Sequence, residues 1–307
     1  MSLSSGRRRR RGRCPSTVRS LCFTHVLNPL GLTLCLVVAV IYSLTDKLRN
    51  FVAGIFIPQY HFTYAVALCF GQVLVSLLAI NLLHVLDLVP LKRYSRVLGE
   101  RMLVPAVCNS AHAVLTMWAK ANSSCSGLFP LTATLQPLLT VGWSFVLRVP
   151  SPPSSHISLL ISIFSVASVI ITASRGLSGI EPLEYVYAPL ALIVQSLSLI
   201  WLSKVLEAEG RCSPDPQTSV CDIYYTQLVN QSWVLGLLFL LHPDSPWKVI
   251  HQSSWHSLLF HGYLLAILLL GMVLDCLVCL SVLCLSPLAA ALIHSAGALT
   301  QTFTQLL

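Results

Sequence analysis

Charge is what this chain has least of. Asp, Glu, Lys and Arg make up 10% of its 307 residues, against about 25% in soluble domains. Apolar residues make up 55%, and the mean hydropathy is +0.76. Such a composition would expose far too much apolar surface in water, so a bilayer is the solvent it fits. The motifs of common enzymes are also missing. There is no Walker loop, no G-x-G-x-x-G, no H-E-x-x-H and no G-x-S-x-G, so neither catalysis nor a cofactor is expected. No loop is long enough to hold a soluble domain. The 11 cysteines lie mostly in apolar stretches, which fits small core residues better than a disulfide framework. Cys212 and Cys221 flank a loop and could pair, but that loop reads as cytosolic and reducing. Cys276 and Cys279 form a C-x-x-C with no second pair, so no metal site is expected.

What is present begins with a near-copy. Leu128 to Leu135 reads LFPLTATL and Leu285 to Leu292 reads LSPLAAAL, 157 residues apart. The same offset carries the start of the first apolar stretch, near Val26, onto Leu183, where the sixth begins. Duplicated membrane units are a known construction of secondary transporters, which hold substrate between the repeats.

A helix crosses the hydrocarbon core in about 20 apolar residues. Nine stretches qualify: roughly 26–44, 62–82, 102–119, 127–147, 157–173, 183–202, 223–241, 258–282 and 287–307. The expected fold is therefore an all-α polytopic membrane protein of ten-span, five-plus-five inverted-repeat architecture, apparently missing its tenth helix. Residues 1–25 would be a basic cytosolic segment, 26–173 the first repeat, 174–182 a linker and 183–307 a truncated second repeat. A natural nine-span protein is the alternative. With the N-terminus in the cytosol, 14 Lys and Arg fall on the cytosolic side and 5 opposite, the bias of cytoplasmic loops. Arg7 to Arg11, Arg13 and Arg19 carry much of that bias. They read as a topology signal, with attraction to anionic lipid or an arginine-based sorting signal as alternatives. No aromatic or folded context supports nucleic-acid binding. Asn122-Ser123-Ser124 is a lumenal sequon close to the membrane.

Charged and polar groups inside spans mark either a pathway or helix–helix contacts. Asp275 either lines the pathway or couples a proton, or else it sits at the interface or caps a neighbouring helix. His261 reads as interfacial. His112 and His294 lie deeper, as substrate ligands or as helix–helix hydrogen bonds. Gln72, Asn109, Gln136, Gln195, Asn230 and Gln301 read mostly as interhelical glue, a subset as cavity lining. Pro105, Pro130, Pro137 and Pro287 free carbonyls or kink helices. Tyr224-Tyr225-Thr226-Gln227 opens span 7. It is either part of the interfacial belt or a pair of rings that stack on a base beside two hydrogen-bonding side chains.

Asp46-Lys47, Gln72, the run Phe129, Thr132, Pro137 and Thr140, and the segments Tyr224–Gln227 and Gly297-Ala298-Leu299-Thr300-Gln301 together resemble the nucleotide-sugar transporters of solute carrier family 35. That family lies in the triose-phosphate transporter-like branch of the drug/metabolite transporter superfamily. The likeness is diffuse and runs from about Leu27 onward. Asp46-Lys47 looks like the family's Asn-Lys, and Gln72 like a glutamine common in its second helix. Tyr224–Gln227 is similar to the Phe-Tyr-Asn-Asn of its GDP-mannose transporters, and Gly297–Gln301 to their Gly-Ala-Leu-Asn-Lys. The resemblance implies a Golgi or endoplasmic-reticulum antiporter that exchanges a nucleotide sugar for a nucleoside monophosphate. It also implies the roles. Tyr224 and Tyr225 would stack on the base, and Thr226 and Gln227 would bond it. Gly297 and Ala298 would let backbone approach the sugar, with Thr300 and Gln301 on sugar or phosphate. Lys47 is the nearest candidate cation, since Ala133 and Gln301 stand where the family carries basic residues. An organic-phosphate carrier, or a truncated non-transporting homologue paired with a full-length carrier, are the alternatives. A homodimer or heterodimer stays open.

Overall fold

The computed structural model describes residues 29–62, 64–122, 132–148, 155–174, 184–212, 220–241, 248–249, 251 and 253–304. Among them the chain forms nine α-helices, a 3-10 turn over Ser253–His256 and no strand. The helices are α1 Pro29–Tyr60, α2 Ala65–Val85, α3 Arg96–Asn122, α4 Gln136–Val146 and α5 Ser155–Ser174, then α6 Glu184–Cys212, α7 Val220–Leu241, α8 Leu258–Cys284 and α9 Pro287–Thr304. The chain divides into two compact units, Met1–Val37 and Val38–Leu307. The described part of the first is the start of α1. The rest of α1 and all later helices belong to the second. The basic segment, residues 175–182 of the linker and the sequon serines lie outside the described residues.

Among the described residues, four helices are long and apolar enough to cross a membrane. They are α2, Arg96–Ala119 of α3, Tyr185–Glu209 of α6 and Leu258–Leu283 of α8. The core is apolar, but large apolar side chains also cover the outside. Leu74, Leu78 and Leu82 of α2 are exposed, as are Leu159, Ile163, Val166 and Ile170 of α5 and Trp233, Leu237 and Leu241 of α7. These spacings of three and four residues make continuous apolar stripes. Meanwhile Gln136, Gln195, Gln227, Gln231, Thr134 and Ser196 are buried. Exposed apolar stripes around buried amides are stable only where lipid is the solvent. The chain is an all-α, multi-pass membrane protein.

The helix ends follow from local chemistry. At the start of α9, the Ala289 N–H donates to Ser286 Oγ at 3.0 Å, and Pro287 follows as the first helical residue. A hydroxyl cap with proline after it is a favoured start, since proline lacks an N–H that would have no partner there. Three helices end on a non-glycine residue with positive φ: His61 after α1, Asp87 after α2 and Arg148 after α4. At Asp87 the paired bonds Asp87 N to His84 O and Leu88 N to Leu83 O close the last turn, satisfying carbonyls the helix leaves unpaired.

Two spans differ from the sequence expectation. The sequence places the first at 26–44, but α1 runs on to Tyr60. Tyr42, Asp46, Arg49, Ala53, Phe56 and Tyr60 fall at spacings of three and four residues. All are at least half-buried, so the charges sit on the face that continues into the core. The fourth span is not one helix. Residues 132–134 are helical, Leu135 is a turn and α4 begins at Gln136. Pro137 has no N–H to give the Ala133 carbonyl, so the ladder breaks there.

Inside the second unit α3 packs along α6 and α7, α2 along α7 and α8, and α4 along α6 and α9. Polar bonds fix these crossings. Ser198 Oγ donates to the Pro105 carbonyl at 3.2 Å, and Arg101 pairs with Glu209. Asn230 Nδ2 donates to the Gly99 carbonyl at 2.7 Å, while Tyr94 Oη donates to Asn230 Oδ1 at 2.9 Å. Asn230 is thus interhelical glue. An aromatic cluster joins the end of α1 to the start of α8, with the Phe260 ring 5.3 Å from Phe56 and Tyr60, 5.7 Å from Phe62 and 5.0 Å from Trp255.

Candidate functional site

A run of polar side chains crosses the bundle where α1, α2 and α3 meet α8 and α9. It starts at Arg49. Among the described side chains, Arg49 is the one Lys or Arg that is not exposed. Its Nη2 donates to Gln72 Oε1 at 2.8 Å, a bond strengthened by the charge. Its Nε is buried with no hydrogen-bond partner among the described residues. The pair fits because position 271, midway along α8, is glycine. A Cβ there would overlap the Gln72 amide and stand 3.2 Å from Arg49 Nη2. The close approach of α8 thus holds a hydrogen-bonded cation between two packed helices.

One turn along α8, Asp275 accepts a hydrogen bond from Asn109 Nδ2 at 3.0 Å. It also lies within electrostatic reach of Arg49. Charge inside a membrane is costly unless it is paired or solvated, so this carboxylate and this guanidinium belong to one site. Around them stand Tyr42 and Tyr224, both in electrostatic reach of Asp275. The Tyr224 hydroxyl is buried beside Ser76. Further along, the His294 ring lies 5.8 Å from Tyr42 and 5.6 Å from His112. His112 Nδ1 is 3.1 Å from the Ala191 carbonyl of α6, the helix–helix bond that was the commoner expectation for such a residue. His261 is exposed at the start of α8, as an interfacial residue would be.

The predicted site residues therefore sort into groups. Gln72 and Asp275 converge on Arg49, and Tyr224 lies within reach of Asp275. Gln227 is buried a turn away, accepting from Cys279 Sγ at 3.6 Å. Thr226 Oγ1 donates to the Asp222 carbonyl of its own helix at 2.7 Å, and Tyr225 is half-buried. Lys47 is exposed, two residues from Arg49 and on another side of α1. Gly297, Ala298, Thr300 and Gln301 lie in α9, and their side chains are outside the described residues. Arg49 itself was missed because the charge cluster Asp46 to Asn50 reads as the end of a span. The available signal was the apolar run Phe51 to Ile57 behind it, which continues the same helical face.

No protein-family model matches this chain, and no curated protein matches it. The site must be read from its own chemistry. Among the described residues no three His, Cys, Asp or Glu side chains gather as metal ligands, and Cys221, Cys276 and Cys279 are thiols rather than halves of disulfides. The arrangement offers one fixed cation with an unused donor, one carboxylate, two amides and buried tyrosines. Such a set has the chemistry to hold an anion with hydrogen-bonding groups around it.

Proposed function

We propose that the chain is a secondary-active carrier that exchanges a nucleotide sugar for a nucleoside monophosphate by alternating access, in the Golgi or endoplasmic-reticulum membrane. The observation that carries this is Arg49, a cation held on Gln72 and packed against Gly271 between the two halves. Arg49 offers a positive group where Ala133 and Gln301 lack one, which favours a carrier over a non-transporting homologue. In this reading Arg49 takes the phosphate, Tyr224 lies near the base, and the close approach at Gly271 opens as the halves rock.

Helix packing supports a five-plus-five arrangement. The 157-residue offset pairs α1 with α6, α2 with α7, α3 with α8 and α4 with α9. A twofold axis relating these pairs maps the α2–α7 and α4–α9 contacts onto themselves, and both occur, while α1–α6 and α3–α8 have no contact of comparable extent among the described residues. It would also match α3–α7 with α8–α2 and α2–α3 with α7–α8, and all four occur. The α3–α6, α4–α6 and α8–α9 contacts have no match of comparable extent in α8–α1, α9–α1 and α3–α4 among the described residues.

A smaller organic phosphate on the same scaffold is the second reading. It is favoured by the single guanidinium, which balances less of a diphosphate than of a monophosphate. The test is uptake into proteoliposomes. Labelled uracil, guanine and cytosine nucleotide sugars, and labelled triose phosphate, are offered to vesicles preloaded with the matching unlabelled phosphate. Exchange that Arg49→Ala abolishes and Arg49→Lys retains in part supports the carrier. No exchange of any member of the panel would sink it.

A further inference from the structure

We propose that Asp275 is a proton-carrying group whose protonation is tied to anion binding at Arg49, so that the anion crosses the membrane together with a proton. This rests on the carrier reading above and adds its energetics.

The two charges are held by separate partners. Arg49 and Asp275 feel each other, yet no salt bridge joins them. Arg49 Nη2 donates to Gln72 and Asp275 accepts from Asn109. Each ion is thus fixed by a neutral amide, and the pair is balanced only as a pair. The amides are replaceable partners, because Arg49 Nε still has no acceptor among the described residues. An entering phosphate offers the guanidinium a stronger acceptor than an amide carbonyl. Once Arg49 is committed to that anion, the Asp275 carboxylate faces an added negative charge in a site of low dielectric. Two interacting groups titrate as a unit, and the least costly response is for Asp275 to take one proton from water. An O–H bond forms, no electrons move, and the filled site carries one charge less. When the anion leaves on the far side, Arg49 again balances Asp275 and the proton departs with it.

Other titratable groups face this pair. On α1 they are Tyr42 and the half-buried Asp46, which accepts from Asn50 Nδ2 at 3.1 Å. On α3 and α9 they are His112 and His294, whose rings meet. On α7 they are Cys221 and Tyr224, and on α8 Cys276 and Cys279. His294 is the strongest rival, since it contacts Tyr42, which itself reaches Asp275.

The test uses the full chain, purified in weakly buffered detergent with a pH-indicator dye. It is titrated with the same nucleotide sugars and with triose phosphate, while binding is read separately by equilibrium dialysis of the labelled compounds. The wild type takes up about one proton per bound anion, and its affinity falls roughly tenfold per pH unit over the window of uptake. Asp275→Asn binds with no proton uptake and with affinity flat across that window. Asp275→Glu keeps the carboxyl and keeps the uptake, which covers the case in which the amide variant does not fold. Asp46→Asn behaves as wild type. Wild-type binding without proton uptake overturns the proposal while leaving the carrier standing. So does uptake that survives Asp275→Asn and is lost in His294→Gln. No binding of any compound removes the carrier reading, and this inference with it.

Discussion

Gly271→Ala adds one methyl group at the most crowded point of the candidate site. The new Cβ would overlap the Gln72 amide and lie 3.2 Å from Arg49 Nη2. The obstacle is the tip of a flexible side chain, so Gln72 swings away and the helices stay packed. The swing breaks the 2.8 Å bond from Arg49. A hydrogen bond to a charged group is worth about 1.5–3 kcal/mol. Alanine in place of glycine returns up to about 1 kcal/mol of helix preference. The net loss of stability is therefore about 0.5–3 kcal/mol. The effect on anion binding is larger in relative terms, because a displaced guanidinium that forfeits 1.4 kcal/mol of contact lowers affinity roughly tenfold. Gly262→Ala is the internal control. It lies on the same helix with nothing within 4 Å of its added methyl, so it leaves stability unchanged or raises it by up to about 1 kcal/mol. Thermal unfolding in detergent and exchange in proteoliposomes measure the two effects. The double variant Gln72→Ala/Gly271→Ala relieves the overlap and regains part of the stability. Equal stability and equal exchange in Gly271→Ala and Gly262→Ala would refute the placement of the Arg49–Gln72 pair.

Three further outcomes follow from the packing. Phe260→Ala empties a fully buried site ringed by Phe56, Tyr60, Phe62 and Trp255 and costs about 3–5 kcal/mol, seen as a large fall in unfolding temperature. Asn230→Ala leaves the Gly99 carbonyl and the Tyr94 hydroxyl without their partner. At about 1 kcal/mol per interhelical bond, it lowers stability by about 2 kcal/mol without changing which compounds are exchanged. Arg148→Gly removes a side chain from a residue with φ of 49° and raises stability by about 1 kcal/mol, provided the helix end keeps its turn.

Much of the helical layout was legible because lipid imposes a simple code. Spans such as α2 and α8 are long apolar runs, and their limits came out within three residues of 62–82 and 258–282. The fourth span was harder. Pro137 was noted as a kink, but whether proline bends a helix or interrupts it depends on the neighbours available to the freed carbonyl. At the site, Gln72 and Asp275 were picked out because polar groups are rare within spans. Arg49 was not, because a charge cluster at the end of an apolar run looks the same whether the helix stops or continues. Lys47 was chosen in its place, and in the folded chain Lys47 is exposed while Arg49 is turned inward. Two residues along a helix is a rotation of about 200°, enough to move a side chain from lipid or water into the core.

The residue order alone established the solvent. Fifty-five per cent apolar residues against ten per cent charged require a bilayer, and the run lengths require helices, because backbone polar groups must be satisfied within each segment. What it left undecided was which polar groups meet. Gln72 and Asn109 lie 37 residues apart, yet they hold the cation and the carboxylate of one site. That meeting depends on a missing side chain at Gly271, on the rotation of α1 past Asp46, and on the packing of α3 against its neighbours. Each is a property of helix faces in contact, where a few ångströms decide whether a charge is paired or stranded.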